Sequence, residues 1–449
     1  VLFALLALAA ALVLARFGLV RFNAVAGVPL GFGDLVAPSF LLLILGVTLV
    51  VGLLAGAYPA LMLSSFQASK VLREHAASGR KGSRLRNALV VAQFTASIAL
   101  VVCALVVAAQ LRFVERQKLG FDREHVVIIP MREPETRAKA AVLKAEFLRL
   151  PEVESVSVTS ALPTKIRSRM INQVFISDTG EKVKGGFHFD YVDEGFLEVF
   201  KIELAAGRNF SAGDKNAVLI NETLARTAGW KEPLSKEIDF FEKMRVVGVV
   251  KDFHFRTFHD RISPMALFPE EGNMLAVRTR PGDVTKTIAA LESVFKRTTA
   301  TQPWDFSFFD EEYDALYRKE RRAGQVFGAF SGLAVFIACL GLLGLAAFAV
   351  ERRRKEIGIR KVLGASAGLL AVKLSREFFV LVLAANVIAW PAAYFAMSKW
   401  LRAFAYRVTL GPAVFLLAAA GALVVAVLTV STQTLRAASA DPVKSLRYE

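Results

Sequence analysis

Two histidines and two aspartates form the densest group of metal-binding side chains in the 449-residue sequence. The run KDFHFRTFHD contains Asp252, His254, His259 and Asp260. Such side chains bind zinc when three or four of them converge on one point. The histidines are separated by five positions and no helical pattern aligns them. Turn structure at a strand end is therefore the favoured interpretation, and we predict no metal site.

Other catalytic signatures do not occur in the sequence. A phosphate-binding G-x-x-x-x-G-K-[ST] loop and an H-E-x-x-H zinc motif are both absent. Cys103 and Cys339 lie inside apolar runs, where free cysteine packs as a small hydrophobic side chain. We therefore predict no catalytic residues and no cofactor, and no ATP binding through a phosphate loop of this chain.

Six apolar stretches dominate the chain and must position whatever functional residues it has. Hydrophobic residues make up 54% of the sequence and the mean hydropathy is +0.45, above the composition of soluble proteins. Five stretches reach the roughly 20 residues that cross a bilayer. The first is short because the sequence begins inside it, which indicates a fragment of a longer protein. The predicted fold class is a polytopic α-helical membrane protein, with crossings at 1–15, 35–62, 88–109, 323–350, 378–397 and 408–430.

The basic residues predict how the chain is oriented in the membrane. Segments 62–87 and 351–374 are rich in arginine and lysine, as cytoplasmic loops are. Segment 111–322 then lies outside the cytoplasm, and it has 34 basic and 33 acidic residues. Of the net charge of +16, +15 therefore belongs to the membrane flanks. This distribution makes the lipid bilayer the partner and excludes nucleic acid.

Residues 111–322 are predicted to form an extracytoplasmic α+β domain. A strand–helix–strand order near 120–160 recurs near 265–310, and two such halves pair into a split, ferredoxin-like layer. Between them, about 165–262 is interpreted as an inserted β-rich subdomain. The predicted strands are 125–130, 153–160, 170–177, 183–191, 245–250, 273–280 and 304–309, and the predicted helices are 136–150, 221–230 and 283–298.

An internal repeat divides the membrane part. A shift of 374 residues aligns Pro38 with Pro412 and aligns the basic tail at 70–73 with that at 444–447. Such repeats indicate two modules packed about a pseudo-axis, of which the first is expected to begin before Val1. The predicted divisions are 1–87 for the end of the first module, 88–110 for a membrane helix, 111–322 for the outer domain, 323–435 for a three-helix membrane domain, and 436–449 for a cytoplasmic tail.

Two further groups of residues are candidates for a mechanical role. Gly324, Gly328 and Gly332 recur every fourth residue, a spacing that lets membrane helices approach closely. This spacing predicts that Gly328→Leu disrupts packing more than Leu342→Ala does. Charged helical stalks at 110–118 and 310–322 continue the third and fourth crossings outward, and their residues Arg116, Lys118, Glu311 and Asp314 are expected to set how closely the two stalks approach. A plain charged connector is the alternative.

The cytoplasmic run ERRRKEIGIRKVLGAS, 351–366, is the strongest motif. Its pattern predicts a short basic helix with Ile357, Ile359, Val362 and Leu363 as apolar anchors and Gly364 as a stop. Such a helix either lies on the lipid surface or docks into a protein groove. Charge that merely sets topology explains the arginines but not the isoleucines.

The run RRRKEIGIRKVLGAS resembles the signature of FtsX-like/MacB-type permeases, the membrane subunits of a class of ABC transporters. The segments VVGVVKDFHFRTFHD and LGFDREHVVIIP are also similar to parts of the outer domain in the duplicated, eight-helix branch. The resemblance implies a MacB-like periplasmic core domain, a location in the bacterial inner membrane, and ATP binding on a separate ATPase subunit. It implies that the loop 351–374 contacts that ATPase, through Glu351, Arg352, Lys355, Glu356, Ile357, Gly358, Ile359, Arg360, Lys361, Val362, Leu363 and Gly364.

The function expected from this resemblance is coupling of ATP hydrolysis to movement of the outer domain, for export of an antimicrobial peptide, an antibiotic or a lipid-type cargo. The alternative is a non-transporting signalling protein that regulates a periplasmic partner. The crossings carry few polar residues, notably Gln93, Ser97 and Asn386, and no charge at mid-span. Charges inside a membrane normally mark solute pathways, so cargo is expected to be handled outside or at the membrane surface.

Overall fold

The computed structural model describes residues 1–64, 78–164, 170–270, 272–299, 302–352, 359 and 366–439. These residues fall into two compact units. The first comprises 1–111, 319–400 and 408–449, and the second comprises 112–318 and 401–407. The helices are α1 (Leu2–Ala26), α2 (Phe32–Leu35), α3 (Pro38–Ser64), α4 (Ser78–Arg116), α5 (Pro134–Ala138), α6 (Ala140–Leu148), α7 (Phe196–Phe200), α8 (Glu222–Ala228), α9 (Val284–Thr298), α10 (Phe309–Leu316), α11 (Arg318–Arg352), α12 (Ala367–Leu401) and α13 (Pro412–Ser439). The strands are β1 (Val126–Pro130), β2 (Val153–Thr159), β3 (Met170–Ile176), β4 (Lys182–Val192), β5 (Leu204–Gly207), β6 (Ala217–Asn221), β7 (Glu237–Phe240), β8 (Glu242–Val250), β9 (Met265–Pro269), β10 (Met274–Thr279) and β11 (Ser307–Phe308).

Six helices in the described residues are long and apolar enough to cross a membrane, which confirms the six predicted crossings. They are α1, α3, α4, α11, α12 and α13. The bounds differ most for the first crossing, which continues to Ala26 instead of ending near residue 15. Arg16 and Arg21 therefore lie within the helix and not in a loop. Long basic side chains are tolerated near helix ends because their charged heads reach the membrane interface.

The first unit is organised around α4, and nearly half of the apolar window of this helix is buried. Toward α11, the Arg86 guanidinium lies 4.0 Å from the centre of the Phe348 ring. Toward α12, the Thr95 hydroxyl donates to the carbonyl of Ala385 at 3.4 Å. By contrast, the windows of α1 and α3 have at most 6% of their residues buried. These two helices pack on each other, and a methyl group placed on Gly52 would lie 3.1 Å from the Ala4 Cβ.

The repeat is visible where its copies are described. α3 begins at Pro38 and α13 begins at Pro412, the two prolines that the sequence alignment pairs. Proline favours the first helical position because its missing N–H is not needed there. The aligned basic tails lie outside the described residues.

The three recurring glycines of α11 do not share one environment. A Cβ on Gly324 would lie 3.1 Å from Val107 Cγ1 of α4, whereas a Cβ on Gly328 or Gly332 would have no other atom within 4 Å. Leu342, the predicted tolerant position, is fully buried. Within this chain the expected order of sensitivity is therefore reversed, because the sequence pattern does not show which face of α11 meets α4. A packing role for Gly328 and Gly332 against another chain stays a prediction.

We accordingly expect Leu342→Ala to lower the melting temperature of the detergent-solubilised chain, because truncating a buried leucine leaves a cavity that costs about 2–5 kcal/mol in proteins of known stability. Gly328→Leu should leave the melting temperature nearly unchanged, since it fills open space and improves helix propensity. A larger loss for Gly328→Leu would show that this face packs against something outside the chain.

The second unit contains one sheet that runs through all 11 strands, in the order β11-β1-β10-β2-β4-β9-β6-β8-β5, with β3 on β4 and β7 on β8. The first four strands are antiparallel neighbours in the ferredoxin-like order, which confirms the predicted pairing of two β-α-β halves. α6 and α9 cover one face through a core that includes Leu143, Phe147, Leu291 and Phe295. The polar side chain of Asp283 accepts from the Lys286 N–H and starts α9.

The predicted inserted subdomain is not a separate layer. Its strands β4, β6 and β8, with the following strand β9, continue the same sheet, and a single ladder pair, Thr159 with Val192, links β2 to β4. The next residue, Asp193, reinforces this junction: its carboxylate accepts from Ser157 Oγ at 2.6 Å, from the Val158 N–H at 2.8 Å and from Lys144 Nζ at 2.7 Å. The pKa of Lys144 is raised because these carboxylate contacts outweigh the opposing effect of burial.

The remaining differences concern element lengths. The predicted helix at 136–150 is split into α5 and α6 at Lys139, and the predicted strand at 304–309 contains only Ser307 and Phe308 in a ladder. Trp304 and Phe306 instead pack against the core under α9. The alternation of apolar residues at 304–308 indicates that these side chains are buried. An irregular segment can bury them as well as a strand can.

Candidate coupling site

The loop between the last two membrane helices belongs to the second unit. Residues 401–407 follow α12 and precede α13 in the chain, yet they pack with 112–318. They contact the irregular segment 251–264 between β8 and β9. The carbonyl of Phe258 accepts from the Ala405 N–H at 3.1 Å and from the Tyr406 N–H at 3.3 Å. The loop is therefore held in part by backbone hydrogen bonds.

Aromatic rings surround these backbone contacts. The His254 ring lies 4.2 Å from the Phe258 ring and 4.9 Å from the Tyr406 ring, and the His259 ring stacks on Phe404 at 4.2 Å. His254 and Phe258 are buried. We call the set His254, Phe258, Tyr313, Tyr317, Tyr406 and Val114 the aromatic clasp.

The clasp also contains the two chain segments that lead to α4 and α11. Val114 from the end of α4 and Tyr313 and Tyr317 from the end of α10 form one buried cluster with Phe258. The Tyr317 hydroxyl accepts from the Phe258 N–H at 3.0 Å. Burial, with a smaller effect of Tyr317, raises the pKa of the Tyr313 phenol well above its usual range, so that ring stays neutral. The segments that lead to α4 and α11 and the loop between α12 and α13 thus meet in one cluster.

The two outer-domain segments that resemble the permease family meet beside the clasp. The carbonyl of Leu119 accepts from the His254 N–H at 2.8 Å. Gly120 has φ +80°, and a Cβ there would lie 2.7 Å from the Cβ of Phe253. Only glycine satisfies both this backbone conformation and this close approach.

A buried arginine anchors the chain just beyond this point. The Arg278 side chain in β10 donates to the carbonyls of Val199 at 2.5 Å, Glu124 at 3.0 Å and Asp122 at 2.9 Å. Its guanidinium also lies 3.3 Å from the Asp122 carboxylate. The pKa of Asp122 is lowered: burial acts to raise it, but the Glu124 N–H, Lys201 and Arg278 together outweigh burial. Arg278 therefore ties the loop after α4 to β10, an interior strand of the sheet.

The predicted stalk residues do not face one another. α4 does extend outward to Arg116, and α10 precedes α11 as expected. Asp314 pairs with Arg123 at 3.3 Å, and Arg116, Lys118 and Glu311 are exposed. Apolar and aromatic side chains, not these charges, join the two stalks, because exposed ion pairs contribute only about 0–1 kcal/mol each.

The four residues considered as metal ligands turn to different partners. Asp252 accepts from the Thr223 N–H at 2.9 Å and from Arg226 at 3.0 Å, beside the start of α8. His254 and His259 stack in the clasp region, and Asp260 pairs with Arg256 at 3.4 Å. No group of three or more possible metal ligands occurs among the described residues.

The cytoplasmic candidates lie largely outside the described residues. Glu351 and Arg352 end α11, and Ile359 is helical with half of its side chain exposed. Nothing is described for Lys355, Glu356, Ile357, Gly358, Arg360, Lys361, Val362, Leu363 and Gly364. Their contact with an ATPase stays a prediction.

Comparisons with known proteins agree with this architecture. Residues 89–294 match the family model of the MacB-like periplasmic core domain, and residues 328–442 match that of the FtsX-like permease C-terminal domain. The uncharacterized ABC transporter permease YknZ of Bacillus subtilis (strain 168) is 22% identical over 312 residues, covering 62% of this chain and 76% of the relative. A crystal structure of the extracellular domain of the noncanonic ABC-type transporter YknZ from Gram-positive bacteria is 15% identical, with a TM-score of 0.28, covering 39% of this chain and 95% of that one.

Six apolar helices and these two domains define a class: a multi-pass permease subunit of a bacterial inner membrane. Within that class the chain is an ABC-transporter permease of the FtsX/MacB type, as the resemblance in its sequence predicts. Permease subunits of this type are generally not enzymes, and the type implies a partner ATPase subunit.

The hydrogen bond between Tyr317 and Phe258 provides a direct test of the clasp. Tyr317→Phe leaves the buried Phe258 N–H without its acceptor, which should lower the opening free energy of that amide by about 1–3 kcal/mol. Hydrogen exchange of the full chain in detergent measures this value. Tyr394→Phe, at an exposed position of α12, is the matched control and should change nothing. Equal protection of the Phe258 amide in both variants would contradict the assignment.

The clasp should also weaken in acid. Burial lowers the pKa of His254, against a smaller opposing effect of Asp252. Because the folded pKa is depressed, the stability contribution of the neutral ring is present above the ordinary value of about 6.5 and is lost as the pH falls through the folded pKa. Protection factors of the amides in 401–407 should therefore drop between about pH 8 and about pH 5.

Two variants test whether His254 causes this pH dependence. His254→Phe keeps an aromatic ring but cannot be protonated, so it should abolish most of the dependence at 401–407. Burial and Arg256 also lower the pKa of His188, which packs on Phe255. His188→Phe is therefore the control and should leave the dependence at 401–407 in place. The opposite pattern would assign the effect to His188.

Proposed function

We propose that this permease transmits ATP-driven movement of its membrane helices to its outer domain, and that the aromatic clasp is the element through which the movement passes. The observation that carries the proposal is the convergence of Val114, Tyr317 and Tyr406, from three separate membrane connections, on Phe258. Packed elements move as rigid units. A change at any of the three connections therefore acts on the same segment between β8 and β9.

ATP hydrolysis is assigned to a separate ATPase subunit that docks on the cytoplasmic loop between α11 and α12. The support is the amphipathic basic pattern of 351–364 and the partner that the permease type implies. The isoleucines supply apolar anchors for a protein groove, while the arginines and lysines supply complementary charge.

Cargo is proposed to be handled at the outer domain, as an antimicrobial peptide, an antibiotic or a lipid-type molecule. Three polar side chains described in the crossings are engaged within the chain. Asn386 donates to the Val382 carbonyl at 2.8 Å and accepts from Trp390 at 3.0 Å, and Gln110 accepts from the Val408 N–H at 2.9 Å. The same observation favours the second candidate, a signalling permease that regulates a periplasmic partner and moves no solute.

The docking proposal is tested with Ile357→Asp and Glu356→Lys. Each change should reduce co-purification with the cognate ATPase, the first by placing a charge in an apolar contact and the second by reversing a charge. Ile388→Asn, at an exposed lipid-facing position of α12, controls for general effects on the membrane part. Undiminished binding and stimulation of the ATPase in both loop variants would contradict the proposal.

Transmission through the clasp is tested by releasing the loop 401–407. Phe404→Ala should leave ATPase binding intact but remove the nucleotide-dependent change in hydrogen exchange at 253–262 of the reconstituted complex. The cause is loss of the ring that stacks on His259. Phe241→Ala, with a ring that is 94% exposed, is the matched control. A nucleotide response at 253–262 that survives Phe404→Ala would show that movement takes another route.

A further inference from the structure

One long edge of the sheet in the second unit is open. Among the described residues, β3 pairs with β4 alone. The Ser177 N–H donates to the Glu181 carbonyl at 2.9 Å, and successive residues of a strand alternate in direction. The N–H and C=O groups of Asn172, Val174 and Ile176 therefore point away from β4. Consistent with this, the Ile176 carbonyl accepts from Trp230 Nε1 at 2.8 Å.

The open edge lacks the features that normally protect one. Natural edge strands carry lysine, proline or a bulge, or are very short. β3 has seven residues, MINQVFI, with no charge and no proline, and its register with β4 is regular. Its outward side chains Met170, Val174 and Ile176 are 56%, 47% and 62% exposed. Such a strand is a hazard for aggregation unless another chain covers it.

Positive charge lies beside these apolar side chains. In the ladder, Val174 faces Lys184 and Ile176 faces Lys182, so the two lysines share the outward face of β3. Both lysines are exposed. The outward positions of β3 and the first half of β4 include no carboxylate. The surface is therefore an apolar row with a cationic border.

We propose that β3 is the docking site for an extended segment of an extracytoplasmic protein partner, which adds to the sheet as a further strand and places acidic side chains on the face that carries Lys182 and Lys184, with β3 between them. Main-chain hydrogen bonds to Asn172 and Val174 supply affinity, and alternating apolar and acidic side chains supply specificity. The lysines disfavour a second copy of this chain, because it would bring the same charges to the contact. The proposal is independent of ATPase coupling, so either can fail without the other.

The test uses the full chain in uncharged detergent and two end-blocked seven-residue peptides. One alternates valine with glutamate and the other alternates valine with lysine. The acidic peptide should bind saturably and slow hydrogen exchange of the Asn172 and Val174 amides, whereas the basic peptide should do neither. Lys182→Glu combined with Lys184→Glu should weaken binding roughly tenfold, as two exposed ion pairs would.

Two further variants keep the outcome decisive. Lys215→Glu combined with Lys243→Glu reverses the same charge at exposed positions elsewhere and should leave the affinity unchanged. Val174→Pro removes one outward N–H at an edge position where proline is tolerated, and it should abolish binding while β10 keeps its amide protection.

Equal binding of both peptides, or equal affinity of the two lysine double variants, would overturn the proposal. So would unchanged exchange at Asn172 and Val174, or retained binding in Val174→Pro. Binding of anionic lipid vesicles through Lys182 and Lys184, with neither peptide bound, would also overturn it and assign the face to lipid.

Discussion

Burial of the Phe258 backbone and ring is the interaction on which the packing of the aromatic clasp depends. Its N–H is satisfied by a tyrosine hydroxyl next to α11, and its carbonyl is satisfied by the loop between α12 and α13. A buried backbone group left without a partner costs free energy comparable to a lost hydrogen bond. Because Phe258 binds both partners, displacing either partner leaves the Phe258 N–H or carbonyl without a hydrogen bond. The remaining partner cannot replace that bond. The three connections therefore tend to move together, which is what a transmitting element requires.

The rest of the unit keeps this segment in position. Gly120 lets the loop after α4 approach Phe253 closely, and Arg278 fixes the same loop to β10 through two of its carbonyls. The segment 251–264 is also bounded by β8 and β9, which lie in one sheet with β10. Displacement of the clasp is consequently expected to displace β8 and β9 as well, because paired strands deform less easily than loops do.

The sequence predicts those parts of this molecule that follow from local pattern. The length of the apolar stretches predicts the six crossings. The spacing of apolar residues, together with flanking turn residues, predicts β1, β2, β10 and α9. It does not reveal contacts between distant segments. In the sequence, Tyr406 and Phe404 do not differ from ordinary loop residues. The charged stalk residues suggest a role in joining the stalks, whereas Val114 and Tyr313, which do join the stalks, give no such signal. Arg278 does leave a signal, since a lone arginine within the apolar run MLAVRT predicts a buried, satisfied charge. The glycines of α11 show the limit, because spacing identifies a face but not its neighbour.

The ladder between β2 and β4 contains the single pair Thr159 with Val192 and is one of the weaker junctions of the 11-stranded sheet. On either side, neighbouring strands are joined by five or more residue pairs, whereas here continuity depends on this pair, on the Ser160 N–H that donates to the Tyr191 carbonyl, and on Asp193. The sheet is therefore expected to bend more easily between β2 and β4 than within the ladders on either side. The junction between β2 and β4 separates the ferredoxin-like half, which contains Arg278, from the half that contains β3 and its open edge. A partner seated on β3, as proposed above, would lie across this junction from Arg278, so that bending at the junction would change its orientation relative to the ferredoxin-like half.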